Sequence, residues 1–543
     1  MSRAAGVADR LRGTGLGITA SLIGWFVLVE VTSGILQGYY VPLFSDIVIH
    51  LGIHDSDINW FEAGQLLLSS LVVPLMAKLG DMYGHKRMLL IATVFTAGAT
   101  WWLAFAGDFW TFLIAWSLQG FYVVWLPLEI ALIFERGRRQ NRGVSTTRRA
   151  AGLLVVGLQA GAIIGALAAG RIFAATGGDL SLTLLIPAIA VTLIFFVILF
   201  GVPESEPLPG RSLDSMGFAI LAVGLLLITS GLTFLRLNGP GFIWTWVLIV
   251  VGILAFIWFA RFELKQDDPA IDIRVLRQPS MWPVQATAFL IGISLLGAQG
   301  PLSTYAGTDP ALGYGLGLDT TERSNLIGVY LVSLILGAIL FAVTSRKVPP
   351  RIVLIAASSL VAIGYLLFLP FHLELWQVLM NLLIAGLGCG ALVGALPAAA
   401  AAAAPRGQTG IASALTNTTK TIGGTFSSAI FGVVLAAGAG IVASETAASL
   451  GGYMAVWAIC GIGGMLATIL LFFVPKVAFA DTLSEDEEQR VTRATRPAFF
   501  AVAGAFFLAE LGDKTMLATV TLATTEGWFG VWVGSTLGMV AAD

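Results

Sequence analysis

The residues able to do chemistry in this chain are carboxylates set into apolar runs. Glu30 stands in WFVLVEVTSG, near the middle of a run over about 17–42, and Glu129 follows Pro127 in WLPLEIALIF. An ionised carboxylate at the centre of a bilayer costs roughly 2.5–3.5 kcal/mol, so each needs a partner, a proton or a water-filled cavity. Glu30 is therefore a candidate proton-coupling group, and a hydrogen bond to a neighbouring helix is its structural alternative. Glu129 is a second candidate, placed to pair with the first apolar run or with a loop arginine. Glu62 opens the second run and reads as interfacial. A further set lies near the end of the chain, where AELGDKTMLATV carries Glu510, Asp513 and Lys514. On a helix Glu510 and Asp513 lie about 60° apart with Lys514 near Glu510. Hard oxygen donors of this kind suit calcium, manganese or magnesium, and a Glu510–Lys514 pair at i, i+4 is the structural alternative.

Only a membrane protein would bury these groups in such surroundings. Of 543 residues, 57% are hydrophobic and 11% charged, against about 25% charged in soluble domains, and the mean hydropathy is +0.88. Apolar runs long enough to cross a ~30 Å hydrocarbon core recur along the chain. They are expected near 17–42, 59–80, 88–107, 110–133, 150–173, 181–202, 215–235, 242–260, 283–305, 325–345, 352–371, 376–398, 411–437 and 452–474. The fold class is thus all-α, a polytopic integral membrane protein.

Charge placement orients these spans. With the N-terminus (1–14) inside and no cleavable signal, the first span serves as an uncleaved anchor. Lys78, Lys86 and Arg87, then Arg136, Arg138, Arg139, Arg142, Arg148 and Arg149, then Arg261, Lys265, Arg274 and Arg277, then Arg346, Lys347 and Arg351 then face the cytoplasm. Arg171, Arg236 and Arg323 fall outside, and the first external connection, FSDIVIHLGIHDSDIN, has neither Lys nor Arg. The expected location is the plasma membrane. Arg142-Gly143 and Arg406-Gly407 open the fifth and thirteenth spans alike, and Lys86-Arg87 is echoed by Arg346-Lys347 with Arg351. Such repetition is the usual plan of secondary transporters, and it reads as two six-helix bundles with the seventh and eighth spans inserted between them.

The connection AKLGDMYGHKR (77–87) resembles the loop motif of the major facilitator superfamily, with Asp81, Gly84, Lys86 and Arg87 in place and Ala77 and Met82 departing. Its implied role is a conformational latch: Asp81 caps a helix end, Gly84 permits the turn, and the cations meet helix carbonyl ends or acidic partners. In the fifth span Gly152, Gly161 and Gly165, followed by Ala166 and Ala169-Gly170, resemble the antiporter motif of the drug:proton branches, without its proline. Close helix packing is the alternative use of such small residues. Gln119-Gly120 matches the fourth-span motif, but Trp116 occupies the arginine position. Together with Glu30-Val31-Thr32 and the stretch from Pro269 through Asp272 to Arg274, these features make residues 15–476 similar to the fourteen-span drug:proton antiporters. The resemblance implies proton-coupled efflux of hydrophobic or cationic small molecules by alternating access. Thr32, Gln37, Gln119 and Tyr122 are cavity candidates, with Tyr39, Tyr40 and Trp125 as aromatic surface.

After a charged linker (477–497), residues 498–543 hold Glu510-Leu511-Gly512-Asp513-Lys514-Thr515. This resembles the hallmark of small calcium/manganese:proton exchangers and implies one to two extra C-terminal spans, with Glu510 and Asp513 as metal candidates and manganese or calcium as a transported ion. Members of that family use two such motifs and this chain has one, so a homo-oligomer would have to supply the second. Divalent-cation exchange is accordingly an alternative function, and a non-transporting scaffold or sensor another. The expected partners are the lipid bilayer, a small-molecule substrate and protons, with no nucleic acid and no required cofactor. No Gly-x-x-x-x-Gly-Lys motif is present. His50, His54, His85 and His372 do not cluster at ligand spacing, and Cys389 and Cys460 lie in apolar runs, so no enzyme is expected.

Overall fold

The computed structural model describes residues 16–139, 143–205, 212–267, 269–345, 348–403, 409–437 and 446–473. The N-terminal segment, Arg142, Arg346-Lys347, Arg406-Gly407, the charged linker and the tail module with Glu510 and Asp513 lie outside them. The described residues form helices and no strands. Fourteen apolar helices occupy the fourteen expected places, and thirteen of them are long and apolar enough to cross a membrane. Spans 1 to 6 are Leu22–Leu51, Asp55–Tyr83, His85–Phe105, Phe109–Ile133, Leu153–Ala175 and Leu180–Gly201. Spans 7 and 8 are Ser215–Asn238 and Ile243–Glu263. Spans 9 to 14 are Trp282–Gly307, Thr320–Phe341, the shorter Arg351–Leu367, Leu375–Pro397, Leu415–Ala437 and Leu450–Phe472.

Helices in lipid gain nothing hydrophobic by meeting one another, so close packing of small residues must hold them together. Spans 1 and 5 show this directly. A Cβ on Gly161 would stand 2.0 Å from the Val31 carbonyl oxygen, and one on Gly38 would stand 2.0 Å from that of Ala162. Each backbone therefore rests on the other. The second half repeats the device between spans 9 and 13, where a Cβ on Gly292 would be 2.1 Å from the Lys420 carbonyl oxygen and one on Gly423 2.1 Å from that of Phe289. The two halves share one internal plan.

Spans 7 and 8 pack mainly on each other. Ile220, Leu221 and Leu225 of span 7 and Phe259 of span 8 join a cluster with Leu67 and Leu71 of span 2 and Leu415, Ile422 and Phe426 of span 13. The hairpin therefore lies outside the two bundles, across the seam between them. In its most apolar stretch span 8 is 17% buried, against 72% for span 9. That is the pattern of a helix turned mostly toward lipid.

At the end away from the Asp81–Arg87 connection, hydrogen bonds join the halves. Arg323 of span 10 donates from Nη2 to Asp46 Oδ2 of span 1 at 2.7 Å, and Thr320 donates to the same carboxylate at 3.0 Å. The Gly170 amide donates to Ser324 Oγ at 2.9 Å, and Ser303 donates to the Val41 carbonyl. Asp55, opening span 2, accepts from the Ala448 amide and the Tyr453 hydroxyl, each at 3.3 Å. Tyr305, Tyr453, Trp457 and Phe368 stack beside this network. This end of the molecule is closed.

Two outcomes follow from these contacts. Gly161→Leu should abolish monodisperse protein, whereas Gly98→Leu, whose Cβ meets nothing within 4 Å, should leave the elution profile in detergent unchanged. Asp46→Asn removes the charge facing a buried guanidinium, a loss of about 3–5 kcal/mol for fully buried pairs and less here, where Asp46 is partly exposed. Cysteine labelling at the closed end should rise in Asp46→Asn and fall back in Asp46→Asn/Arg323→Met.

Candidate functional site

Two helix interruptions shape the centre of the first half. Span 1 turns through Val41–Leu43, with Pro42 unable to continue the ladder, and span 4 changes from α-helix to 3-10 helix over Gly120–Val124 before resuming at Trp125. Such a break inside a helix turns the following side chains to a new heading. The resumed helix carries Glu129 inward, toward Glu30 of span 1. Both carboxyl groups are fully buried and lie at hydrogen-bond distance from each other. Neither accepts a hydrogen bond from an N–H or O–H group among the described residues. Two facing carboxyl groups can hydrogen-bond only when one carries a proton. The arrangement is thus chemically a two-carboxyl site able to hold one proton.

Tyr122, in the 3-10 turn, is near Glu30 and hydrogen-bonds the side chain of Gln37. Gln37 itself is exposed. These two residues accompany the carboxyl pair. The other cavity candidates do not. The Thr32 hydroxyl donates back to the Leu28 carbonyl of its own helix at 3.2 Å. Gln119 is fully buried and held from three sides, donating to Tyr40 Oη at 2.7 Å and Thr100 Oγ1 at 3.2 Å and accepting from Gln65 at 3.3 Å. Trp116, at the motif's arginine position, packs among Tyr40, Phe44, Phe61 and Phe112. Tyr39 donates to the Thr183 carbonyl at 2.8 Å, and Trp125 is buried. Glu62 is buried against Gly300 of span 9, so it meets the opposite half.

The antiporter-like glycines divide by neighbour. Gly161 and Gly165 press on span 1, one and two turns beyond Glu30, while Gly170 presses on Thr320 and Ser324 of span 10. Gly152 lies in the helix Gly143–Ala175, in the stretch whose side chains are outside the description.

At the basic connection Gly84 adopts φ +108°, a conformation open to glycine, and ends one helix while starting the next. A Cβ there would lie 2.6 Å from Glu204 Oε1. Glu204, just past span 6, accepts from the Lys86 amide at 2.9 Å and faces Arg87 at 3.6 Å. It is thus Glu204 that supplies negative charge to the start of the span 3 helix, where the dipole favours it. Asp81 instead faces His85 Nε2 at 3.4 Å, and Ser205 takes the His85 amide at 2.8 Å. Lys86 Nζ donates to the Leu199 carbonyl at 2.8 Å, at the end of the span 6 helix, and Lys78 Nζ to the Pro269 carbonyl at 3.2 Å. Spans 2, 3 and 6 are tied into one body.

Sequence reasoning followed carboxylates and so passed over several charges. Glu204 carried no signal, being placed by a turn after span 6. Asp46 and Arg323 are joined across 277 residues. Lys420 did carry one, as a cation five residues inside an apolar span. It lines a crevice with Thr416 and Asn417. Among the described residues no three His, Cys, Asp or Glu side chains are grouped so as to hold a metal ion.

Comparison with known proteins agrees with this architecture. A probable actinorhodin transporter of Streptomyces coelicolor is 26% identical over 410 residues, 73% of this chain and 68% of that protein. The quinolone resistance protein NorB of Staphylococcus aureus is 28% identical over 302 residues, 53% of this chain, and the match spans 61% of NorB's length. The nucleoside transporter NupG shares the fold at TM-score 0.58 and 12% identity, covering 84% of this chain and 99% of that one. The peptide transporter POT in complex with sulfate does so at 0.59 and 16%, covering 88% and 96%. The family description "Divalent cation/proton antiporter GDT1" matches residues 498–543, outside the described structure. The description "Major Facilitator Superfamily" matches residues 16–428, and the chain belongs to that family of membrane transporters.

Proposed function

We propose that the fourteen-span unit exports hydrophobic small molecules in exchange for protons, by alternating access between its two halves. The observation that carries this reading is the Glu30–Glu129 pair. Buried and without other partners, it holds its position only with a shared proton, and losing that proton would leave two like charges in a dry site. A site of that kind favours opening to water, which is what coupling needs. The similarity to the actinorhodin transporter and to NorB supports efflux as the direction of flow. On this reading the N-terminus and the basic connections are cytoplasmic, following the excess of Lys and Arg there, the membrane is the plasma membrane, and the Asp46–Arg323 network closes the outer side.

Everted vesicles loaded with a pH gradient test the pair. Glu30→Gln should bring gradient-driven uptake of a hydrophobic dye to background while the protein keeps its elution profile, and Glu129→Gln should lower it in the same direction. Unchanged gradient-driven uptake in Glu30→Gln would remove the pair as the proton site, and an absence of flux in the parent protein would favour a scaffold.

The match over residues 498–543 favours a second reading for the tail alone, divalent-cation:proton exchange. Glu510 and Asp513 would offer hard oxygen donors to manganese or calcium, with a second copy of this chain contributing another set. Manganese uptake that is lost in Asp513→Asn and retained in Glu30→Gln would support it. Uptake indifferent to Asp513 would leave the tail without transport of its own.

A further inference from the structure

Lys420 is a charge that the proton pair does not use. Cations elsewhere in the described bundle are satisfied: Arg323 by Asp46, Arg236 by Asp57, Lys86 by the Leu199 carbonyl and Arg351 by the Leu471 carbonyl. Lys420, five residues into span 13, has no acidic group beside it and no hydrogen-bond acceptor among the described residues. Its backbone is fixed, because span 9 rests on it at Gly292. A cation held rigidly inside a membrane span, at a cost and with no structural return, marks a functional position.

The surroundings say what it would meet. Thr416 and Asn417 lie four and three residues before Lys420 and so share its helix face. With it they line a crevice of about 280 Å³ between spans 9, 12 and 13, whose remaining wall includes Ile291, Leu392 and Leu396. Thr416 is oriented by Gln285 of span 9, which donates to its hydroxyl at 3.2 Å. The crevice thus offers one ammonium, one amide and one hydroxyl beside an apolar wall. An ammonium is a compact donor suited to a carboxylate or phenolate oxygen, and the wall suits a ring or alkyl body.

We propose that Lys420, with Asn417 and Thr416, is the anion-recognising part of the substrate site, and that the exported molecule is a hydrophobic organic acid carried as its anion. This rests on the export reading above and narrows its substrate class, away from the cationic compounds that family resemblance implied.

Equilibrium binding to the full-length protein in phosphatidylcholine nanodiscs tests it, with pyrene-1-butyrate as probe and the neutral pyrene-1-butanamide as its isostere. The parent protein should bind the acid at least about tenfold more tightly than the amide, the scale of a hydrogen bond to a charged group. Lys420→Met should erase that preference and Lys420→Arg should retain most of it, both with unchanged elution profiles. If Lys420→Met fails to fold, Asn417→Leu, which leaves the charge in place, should reduce the preference without erasing it. Equal binding of acid and amide by the parent, or a preference that survives Lys420→Met, overturns the assignment. Displacement of the acid by phosphatidylglycerol added to the nanodiscs would give Lys420 to a lipid headgroup and also overturn it. The two proposals fail separately. Acid preference with flux that ignores the pH gradient removes proton coupling alone, and gradient-driven flux with acid and amide bound alike removes the anion site alone.

Discussion

The structure depends on one constraint: a charge inside hydrocarbon must be neutralised, shared or given water. Each buried charge in the bundle can be sorted by which of these it receives. Asp46 and Arg323 neutralise each other and in doing so hold span 1 to span 10. Asp57 and Arg236 do the same for span 2 and the inserted hairpin. Glu204 is neutralised by a helix start and by Arg87. What remains is a carboxyl pair in one half and a lone ammonium in the other, and these are the groups that receive no structural partner. Charges that hold helices together and charges held ready for something else are thereby separated by physical bookkeeping alone.

The architecture lets that separation matter. Spans 1 and 5, and again spans 9 and 13, touch backbone to backbone through glycines, so each half is a body that cannot deform at its centre without losing those contacts. Between the halves the polar contacts at the closed end are of another kind, exposed enough in part to be exchanged for water: the Asp46 side chain keeps 16% of its surface. Rigid bodies joined by exchangeable contacts are what rocking about a midplane site requires.

Fourteen spans, their limits within a few residues and the two-halves-plus-insert plan were legible because each rests on local sequence: hydropathy over a turn-by-turn window and the sign of the loops. The Gly84 turn was legible for the same reason, since its conformation belongs to one residue. Partners were not. Asp81 stands in the motif position and faces its own i+4 histidine, while the helix start it seemed placed to serve is taken by Glu204, 118 residues from Lys86. Gln119 looked like cavity surface and is spent on Tyr40, Thr100 and Gln65. Composition identifies which side chains are costly to bury, but only the fold shows which neighbour repays the cost, and long-range pairs such as Asp46–Arg323 leave no trace in any local window.

The inserted hairpin follows from the same distinction between polar and apolar contact. At one end Arg236 of span 7 pairs with Asp57 and lies over the Trp60 ring of span 2, 5.8 Å from its centroid. At the other, Lys78 of span 2 donates to the Pro269 carbonyl in the connection that leaves span 8. That connection is itself anchored, since buried Glu263 accepts from the Ile271 amide at 3.3 Å. The hairpin is therefore fastened to the first half by directional contacts at both ends. Toward the second half it presents Ile220, Leu221 and Leu225 to Leu415, Ile422 and Phe426 of span 13, a surface without hydrogen bonds to break. Dispersion contacts between apolar side chains change little when one surface slides over the other, whereas a hydrogen bond or ion pair is lost within an ångström or so. On the proposed rocking of the halves, spans 7 and 8 would travel with the first bundle and glide along span 13, covering the seam beside Lys420 while leaving its motion free.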